Sequence, residues 1–490
     1  MAKSYEMNLS EGSIVKKLII YALPLMATNV LQLLFNATDV AILGAFVADP
    51  TLADAAVAAV GSTGALINLI VGLFVGLSIG VNVLVARCVG ANDKARSGRI
   101  VGTAVLFGAL VGCFLLLVGF FGARTFLEWM DCDEEVIGMA TKYLKIYFLG
   151  MPIMMLYNFA ASVLRAVGDT VRPLIYLVLG GVLNVGLNIF FVVVLKKDVE
   201  GVAIATVAAQ LLSAILAMIA LRKSDGFSRL EWKNVRLDKR ELIEMARIGV
   251  PAGLQSCMFS LANVLIQSSV NSFGKTVMAA NTISQQFEGF IWNAMAGVSA
   301  ASIAFISQNL GAEKIDRVRK TTFYALLVVS IVWAAITAVV LPLRYFFCGI
   351  MSDSEEVVAL ACRRLSMIAL SYILGGWMDV LGSVLRGLGK STVAMLICLV
   401  GSCLFRIVWL KTVFRLYPTI ETVWWVFPVS WLLTVVIYAF VYFPLMRRIE
   451  RQYAPKKENG HTMYETNTYS VDETKEINEE NEENIIKNEE

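Results

Sequence analysis

Histidine is all but absent from this chain of 490 residues: His461, in a polar C-terminal tail, is the only one. Histidine-based catalysis and histidine-ligated metal are therefore excluded from the rest of the chain. Cysteine is little used, and Cys88, Cys113, Cys132, Cys257, Cys348, Cys362, Cys398 and Cys403 fall mostly in apolar runs without metal-ligand spacing. Free, buried thiols are expected. Paired acids at catalytic spacing and a thiol beside a base are also missing, so the chain is not expected to be an enzyme. An apparent phosphate loop, Val384 to Ser391, has Val384 where the first glycine is required and follows an apolar helix rather than a strand. No ATPase module and no cofactor are expected.

Charge is the other scarcity. Only 17% of residues are charged against 57% hydrophobic, and the mean hydropathy is +0.68. That excess of apolar surface excludes a soluble protein and points to a multispanning membrane protein. A net charge of +3 gives no reason to expect a nucleic-acid partner. No cleavable leader is expected either, because the apolar run from Ile14 follows a polar lead and continues to full spanning length.

What is present is a duplication. The stretch from Ser162 to Asp169, SVLRAVGD, returns as SVLRGLGK from Ser383 to Lys390. The same offset carries Met130–Val136 onto Met351–Val357, Gly76–Ser78 onto Gly297–Ser299, and Gly90–Ala91 onto Gly311–Ala312. Separate stretches agreeing on one register indicate a tandem repeat. Apolar runs in the first copy cover 14 to 45, 56 to 86, 98 to 121, 137 to 163, 173 to 195 and 200 to 221. Those in the second cover 247 to 272, 277 to 307, 320 to 347, 357 to 385, 391 to 414 and 422 to 446. Each is near or above the roughly 20 residues that cross a bilayer, and only helices satisfy every backbone polar group over such lengths in lipid.

The expected architecture is an all-α polytopic membrane protein of about twelve helices. A polar lead (1–13) comes first, then an N-lobe (14–221), a basic linker (222–246), a C-lobe (247–446) and a basic, then acidic tail (447–490). From Glu458 onward the tail is expected to be disordered. In the linker, Leu237 to Ile248 is expected to form a short interfacial helix. Six helices per lobe is an even number, so the lobes share one polarity and are related by an axis along the membrane normal, as in transporters.

Basic residues set the orientation. Lys16, Lys17, Arg87, Lys94, Arg96, Arg99, Arg165, Arg172, the linker cations, Lys314, Arg317, Arg319 and Lys320 fall on one side, whereas Asp49, Asp54 and the Glu-Glu-Val motifs fall on the other. Lys196, Lys197, Arg415 and Lys411 are the exceptions. Both termini are expected in the cytoplasm, in a cell membrane, with the chain acting as a monomer.

Ionisable side chains inside apolar spans are costly and usually face an internal cavity. The first span offers Asp39, with Gln32 and Asn36 on the same helix face, Asn29 nearby and Pro24 below. A carboxylate withdrawn from water there is poised to take up and release a proton; at the outer interface it would instead be solvated. The fifth span offers Asn184 and Asn188, one turn apart, and the sixth offers Thr206 and Gln210. These either close a polar pocket around Asp39 or glue helices together. In the second half Pro251 and Asn263 echo Pro24 and Asn36, but Ile266 stands where Asp39 would fall. The acidic candidates there are Glu288 and Asp379, with Arg406 as the available counter-charge. Met151, Met154, Met155, Tyr157, Phe287, Trp292, Met295 and Trp377 are deformable enough to line a substrate cavity with Gln32 and Asn36, although such residues are more often ordinary packing.

Glu11-Gly12-Ser13, the stretch from Pro24 to Asp39, the end of the fourth span at Arg165 to Asp169, and Gln308-Asn309-Leu310-Gly311-Ala312 together resemble the multidrug and toxic compound extrusion (MATE) family of prokaryotic type. The resemblance covers nearly everything except the tail. It implies two six-helix lobes forming a V, alternating access, and export of lipophilic, often cationic compounds driven by inward proton or sodium flow. It also implies an N-lobe cation site at Asp39, Asn184, Asn188 and Thr206. Two positions depart from the pattern: Asn188 stands where a second aspartate is common, and no acid follows Pro251. Asp39 is then the only N-lobe carboxylate, which favours one coupling ion per cycle, a proton over sodium, with helix 1 bending or repacking at Pro24. A lipid or oligosaccharide-lipid flippase of the related superfamily is the alternative, expected to need a more basic central cavity.

Overall fold

The computed structural model describes residues 6–46, 50–130, 132–453, 456–458 and 461–463. Asp49 and Asp131 of the expected outer loops lie outside them. Two units divide the chain, Met1–Pro444 and Leu445–Glu490. The helices that matter for function lie in the first, the last of them up to Pro444. They are α1 (Ile14–Phe46), α2 (Pro50–Gly90), α3 (Lys94–Trp129), α4 (Glu134–Leu149 continued by Met151–Ala166), α5 (Val171–Val194) and α6 (Val199–Lys223) in the first half. In the second half they are α7 (Lys239–Asn271), α8 (Lys275–Gly311), α9 (Ile315–Val340), α10 (Glu355–Gly387), α11 (Ser391–Leu416) and α12 (Ile420–Gln452).

Eleven of these are long and apolar enough to cross a membrane, and the bent pair of α4 makes twelve. The break in α4 is 49° and falls at Gly150, where Pro152 at the start of the next segment supplies no backbone N–H. The protein is a multi-pass membrane protein built as two lobes of six helices.

Side-chain placement is that of a bundle in lipid. On α3 the small residues Gly108, Gly112 and Gly119 face inward with Val111 and Leu115, while Leu110, Phe114, Leu117 and Phe121 form an exposed stripe. A stripe of large apolar side chains at helical spacing on the outside belongs against acyl chains rather than water.

Three boundaries differ from expectation. The interfacial helix expected at 237–248 is the first part of α7, which runs unbroken from Lys239 because Asp238 caps it by accepting from the Arg240 and Glu241 backbone N–H groups. Arg96 at the start of α3 then bridges Glu241 and Glu244 of that helix, at 3.0 and 2.6 Å. In α5 and α11 the α-helix gives way to π-helical turns, Phe190–Val194 and Leu399–Leu404. In the second unit Lys456–Glu458 and His461–Met463 form a short antiparallel pair within the tail expected to be unstructured. The rest of that tail lies outside the described residues.

The lobes meet along α2 against α7 and α1 against α8. Repeat-related glycines make these crossings close. A Cβ on Gly76 would lie 2.4 Å from the Gly253 Cα, and one on Gly297 would lie 2.7 Å from the Met26 N. Nearer the basic loops, Gly90 lies against the Gln308 carbonyl and Gly311 against the Arg87 carbonyl, an exchange of equivalent partners across the pseudo-twofold. At the same end the N-terminal segment is threaded between the lobes. The Leu9 N–H donates to Gln308 Oε1 (2.9 Å), Gln308 Nε2 donates to the Ala166 carbonyl (2.7 Å), and Arg317 donates to the Gly12 carbonyl. On the N-lobe side Ser224 and Ser228 donate to Glu6.

Candidate functional site

Three helices of the N-lobe bring one carboxylate and three neutral polar side chains together. Asp39 of α1 is 7% exposed. Asn188 of α5 donates to its Oδ1 at 2.6 Å, and Thr206 of α6 reaches Oδ2 at 3.5 Å. Asn184 closes the ring by donating to Thr206 Oγ1 and accepting from Asn188 Nδ2, both at 3.3 Å. The one-turn spacing of Asn184 and Asn188 makes this possible, since it stacks both amides on the face of α5 that meets α1 and α6. Asn184, Asn188 and Thr206 thus close a hydrogen-bonded pocket around Asp39 and join α1, α5 and α6 in doing so.

The ring has two further features. Among the described residues no lysine or arginine pairs with Asp39, and Asn188 Oδ1 is buried without a donor. A carboxylate with neutral donors and a spare acceptor has the chemistry to take a small cation, either a proton on the carboxyl or a bare ion between oxygens. Asn36 and Gln32, further along α1, are exposed, and Asn29 donates across the lobe interface to the Asn293 carbonyl of α8 at 3.1 Å. Pro24 remains inside a continuous α1, with the Thr28 hydroxyl donating to its carbonyl.

In the C-lobe the expected counter-charge is wrong. Glu288 of α8 pairs not with Arg406 but with Arg364 of α10, which donates from Nη2 at 2.9 Å and Nε at 3.1 Å. Ser284 and Tyr372 also donate to Glu288, and Asn281 accepts from Arg364. Asp379 pairs instead with Arg386 of its own helix, at 3.4 Å. Arg406 of α11 is left with the Ser430 hydroxyl at 3.2 Å, the Asn263 side-chain Oδ1 at 3.1 Å, and the rings of Phe427 and Phe259. The sequence reading missed Arg364 altogether. Asn281, Ser284 and Glu288 repeat the one-turn spacing that singled out the N-lobe ring, and that signal was available.

Of the substrate-cavity candidates, Met155, Tyr157 and Met295 are buried in lobe packing, with Tyr157 donating to the Pro173 carbonyl. Trp377 is pinned to Ser330 of α9 at 2.9 Å. Phe287 stacks on Phe347, and Trp292 lies 6.3 Å from the Tyr372 ring. All eight cysteines are free, and no group of metal-ligating side chains occurs among the described residues.

Comparison with known proteins places this geometry. The chain is 25% identical over 387 residues to a probable multidrug resistance protein, YoeA, of Bacillus subtilis, covering 78% of this chain and 82% of that one. It is 21% identical over 383 residues to the multidrug export protein MepA of Staphylococcus saprophyticus, with the same coverage. The fold matches the bent form of the Vibrio cholerae MATE transporter VcmN at a TM-score of 0.79, with 24% identity over 90% of this chain and 98% of that one. An outward-facing MATE transporter of the MOP superfamily matches at 0.83, with 18% identity and the same coverage. The MatE family model matches residues 24–190 and 251–410, one segment in each lobe. The chain belongs to the MatE family, the multidrug and toxic compound extrusion transporters.

Proposed function

We propose that this chain is a secondary active multidrug exporter of the cell membrane, exchanging inward-moving protons for outward-moving lipophilic, often cationic compounds. One observation carries the coupling: Asp39 sits buried among Asn188, Thr206 and Asn184 with no basic partner among the described residues. Such a carboxylate has two stable conditions. Ionised, it accepts from the Asn188 amide; protonated, it donates, and a turn of that amide presents the unpaired Oδ1 to the new O–H. Proton uptake thereby repacks α1 against α5 and α6, with Pro24 as the point where α1 bends.

The end at which the lobes and the N-terminal segment close carries the basic loops, and positive charge is retained in the cytoplasm. We therefore assign this end to the cytoplasm and the conformation to the outward-facing arm of an alternating-access cycle. Proton is favoured over sodium because Asp39 is the one carboxylate of the ring, and a proton needs only that carboxyl and a single acceptor such as Asn188 Oδ1. The names of the relatives, a multidrug resistance protein and a multidrug export protein, favour drug-like substrates over lipid-linked ones.

The test uses the purified chain in proteoliposomes, with a fluorescent lipophilic cation followed under an imposed proton gradient and then a sodium gradient. Proton-driven movement that disappears in Asp39→Asn supports the reading. Full proton-driven movement in Asp39→Asn overturns it.

A further inference from the structure

The basic linker between the lobes is tied down along its length. The Leu230 N–H donates to the Leu221 carbonyl at the end of α6 (2.9 Å). The Thr103 hydroxyl of α3 donates to the Arg236 carbonyl (3.0 Å), and the Asp238 N–H donates to Thr103 Oγ1 (3.2 Å). Gly102 gives the Asn234 carbonyl room to lie against α3, where any Cβ would collide with it. A single helical turn, Trp232–Asn234, is thereby held between the ends of α3 and α6. It sets Trp232 beside Arg222 of α6, whose guanidinium lies 5.9 Å from the centre of the indole. Trp232 is 65% exposed, so the lobe holds the ring in place without using it for packing.

The neighbouring residues say what the ring faces. Leu211, Ile215 and Ile219 are exposed at four-residue spacing along α6, a stripe that belongs against acyl chains. The next turn of α6 carries Arg222 and Lys223, both exposed. Apolar stripe, then indole and cations, is the order of a bilayer from its chains to its headgroups. From Arg222 to Arg240 the linker has seven cations against three carboxylates. Glu231 takes two of the cations, Lys233 at 3.0 Å and Arg229 at 3.7 Å, and Arg240 reaches Glu244. Among the described residues no carboxylate forms an ion pair with Arg222 or Lys223. A guanidinium fork engages phosphate oxygens through parallel hydrogen bonds, and an ammonium beside it adds a second point charge. We propose that Arg222, Lys223 and Trp232 form a binding site for the headgroup of an anionic phospholipid, its phosphate on the two cations and its chains along the α6 stripe. The site lies at the end assigned to the cytoplasm, so the lipid is one of the inner leaflet.

The test reads binding alone, and its failure leaves the exporter reading untouched. The purified full chain in neutral detergent is titrated with phosphatidylglycerol carrying a fluorescent acyl chain, and separately with phosphatidylcholine carrying the same chain, and polarisation is followed. Wild type is expected to hold phosphatidylglycerol about 25-fold more tightly, since each cation near an anionic headgroup contributes about fivefold. Arg222→Gln and Lys223→Gln should each lower that preference about fivefold without changing phosphatidylcholine binding. Trp232→Ala should weaken both lipids alike. Lys233→Gln, which removes a cation already tied to Glu231, should leave the preference unchanged. All four positions are exposed, so the variants are expected to fold. Equal binding of the two lipids by wild type, a preference that survives Arg222→Gln combined with Lys223→Gln, or no loss in Trp232→Ala would each overturn the proposal. An equal fall in Lys233→Gln would overturn it as well, showing only diffuse attraction to a basic surface. So would displacement of phosphatidylglycerol by inorganic phosphate at an ionic strength where chloride leaves it bound, the mark of a site for free phosphate.

Discussion

Arg364 and Glu288 form a buried pair at 2.9 Å, with Ser284, Asn281 and Tyr372 filling the remaining hydrogen-bonding positions. Removing one member of such a pair strands the other as a charge in a membrane span. Replacing both by apolar groups strands nothing. Glu288→Met is expected to cost about 3–5 kcal/mol, whereas Glu288→Met with Arg364→Met should restore most of it. Thermal melts of the purified variants give the answer: additive losses in the double variant would show that the pair is not the unit. Asp39 is different in kind, because its hydrogen-bond partners Asn188 and Thr206 are neutral and no lysine or arginine pairs with it among the described residues. Asp39→Asn should therefore keep the fold and melt close to wild type while losing ion-driven transport.

At the scale of elements, the N-terminal segment is the least expected structural part. It was read as a polar lead, yet Leu9 is fully buried, and its backbone N–H and carbonyl are taken by Gln308 and Asn309 of α8. Gly168, at φ 92°, lies against the Met7 backbone, close enough that any side chain there would collide with it. One short segment thus ties the end of α4 to the end of α8, and opening that end must break both ties. Gln308→Ala removes the link to Ala166 and to Leu9 together. Amide hydrogen exchange near the ends of α2 and α8 should rise several-fold in this variant, since local opening then breaks fewer hydrogen bonds. Unchanged exchange would mean that the glycine crossings alone hold the closed end.

Those crossings belong to the whole molecule, because the repeat places them in matched positions on both lobes. Gly253 approaches the Leu73 carbonyl so closely that a Cβ would lie 2.0 Å from its oxygen. Gly253→Leu should keep the lobes apart at this end, leaving dye binding intact and abolishing export; retained export would show that closure tolerates the spacing. The duplication and the helix count were legible because apolar length and the repeated SVLR motif are local properties of the sequence. The Asp39 ring was legible for a related reason: Asn184 and Asn188 are polar residues at one-turn spacing in an otherwise apolar helix. Pairing in the C-lobe was not, because Glu288 had Arg364 and Arg406 both within reach in sequence terms, and only the packing of α8 against α10 decides between them. Nor does a helical pattern tell a core methionine from a cavity one, which is why Met155 and Met295, buried in lobe packing, were expected to line a cavity. The central claim, that Asp39 couples ion to cargo, is tested most directly by letting the cargo do the driving. Proteoliposomes loaded with a lipophilic cation and a pH-sensitive dye, with no ion gradient imposed, are diluted into dye-free buffer of equal pH. The account predicts proton movement against the flow of the cation in wild type and none in Asp39→Asn; equal proton movement in both would contradict it.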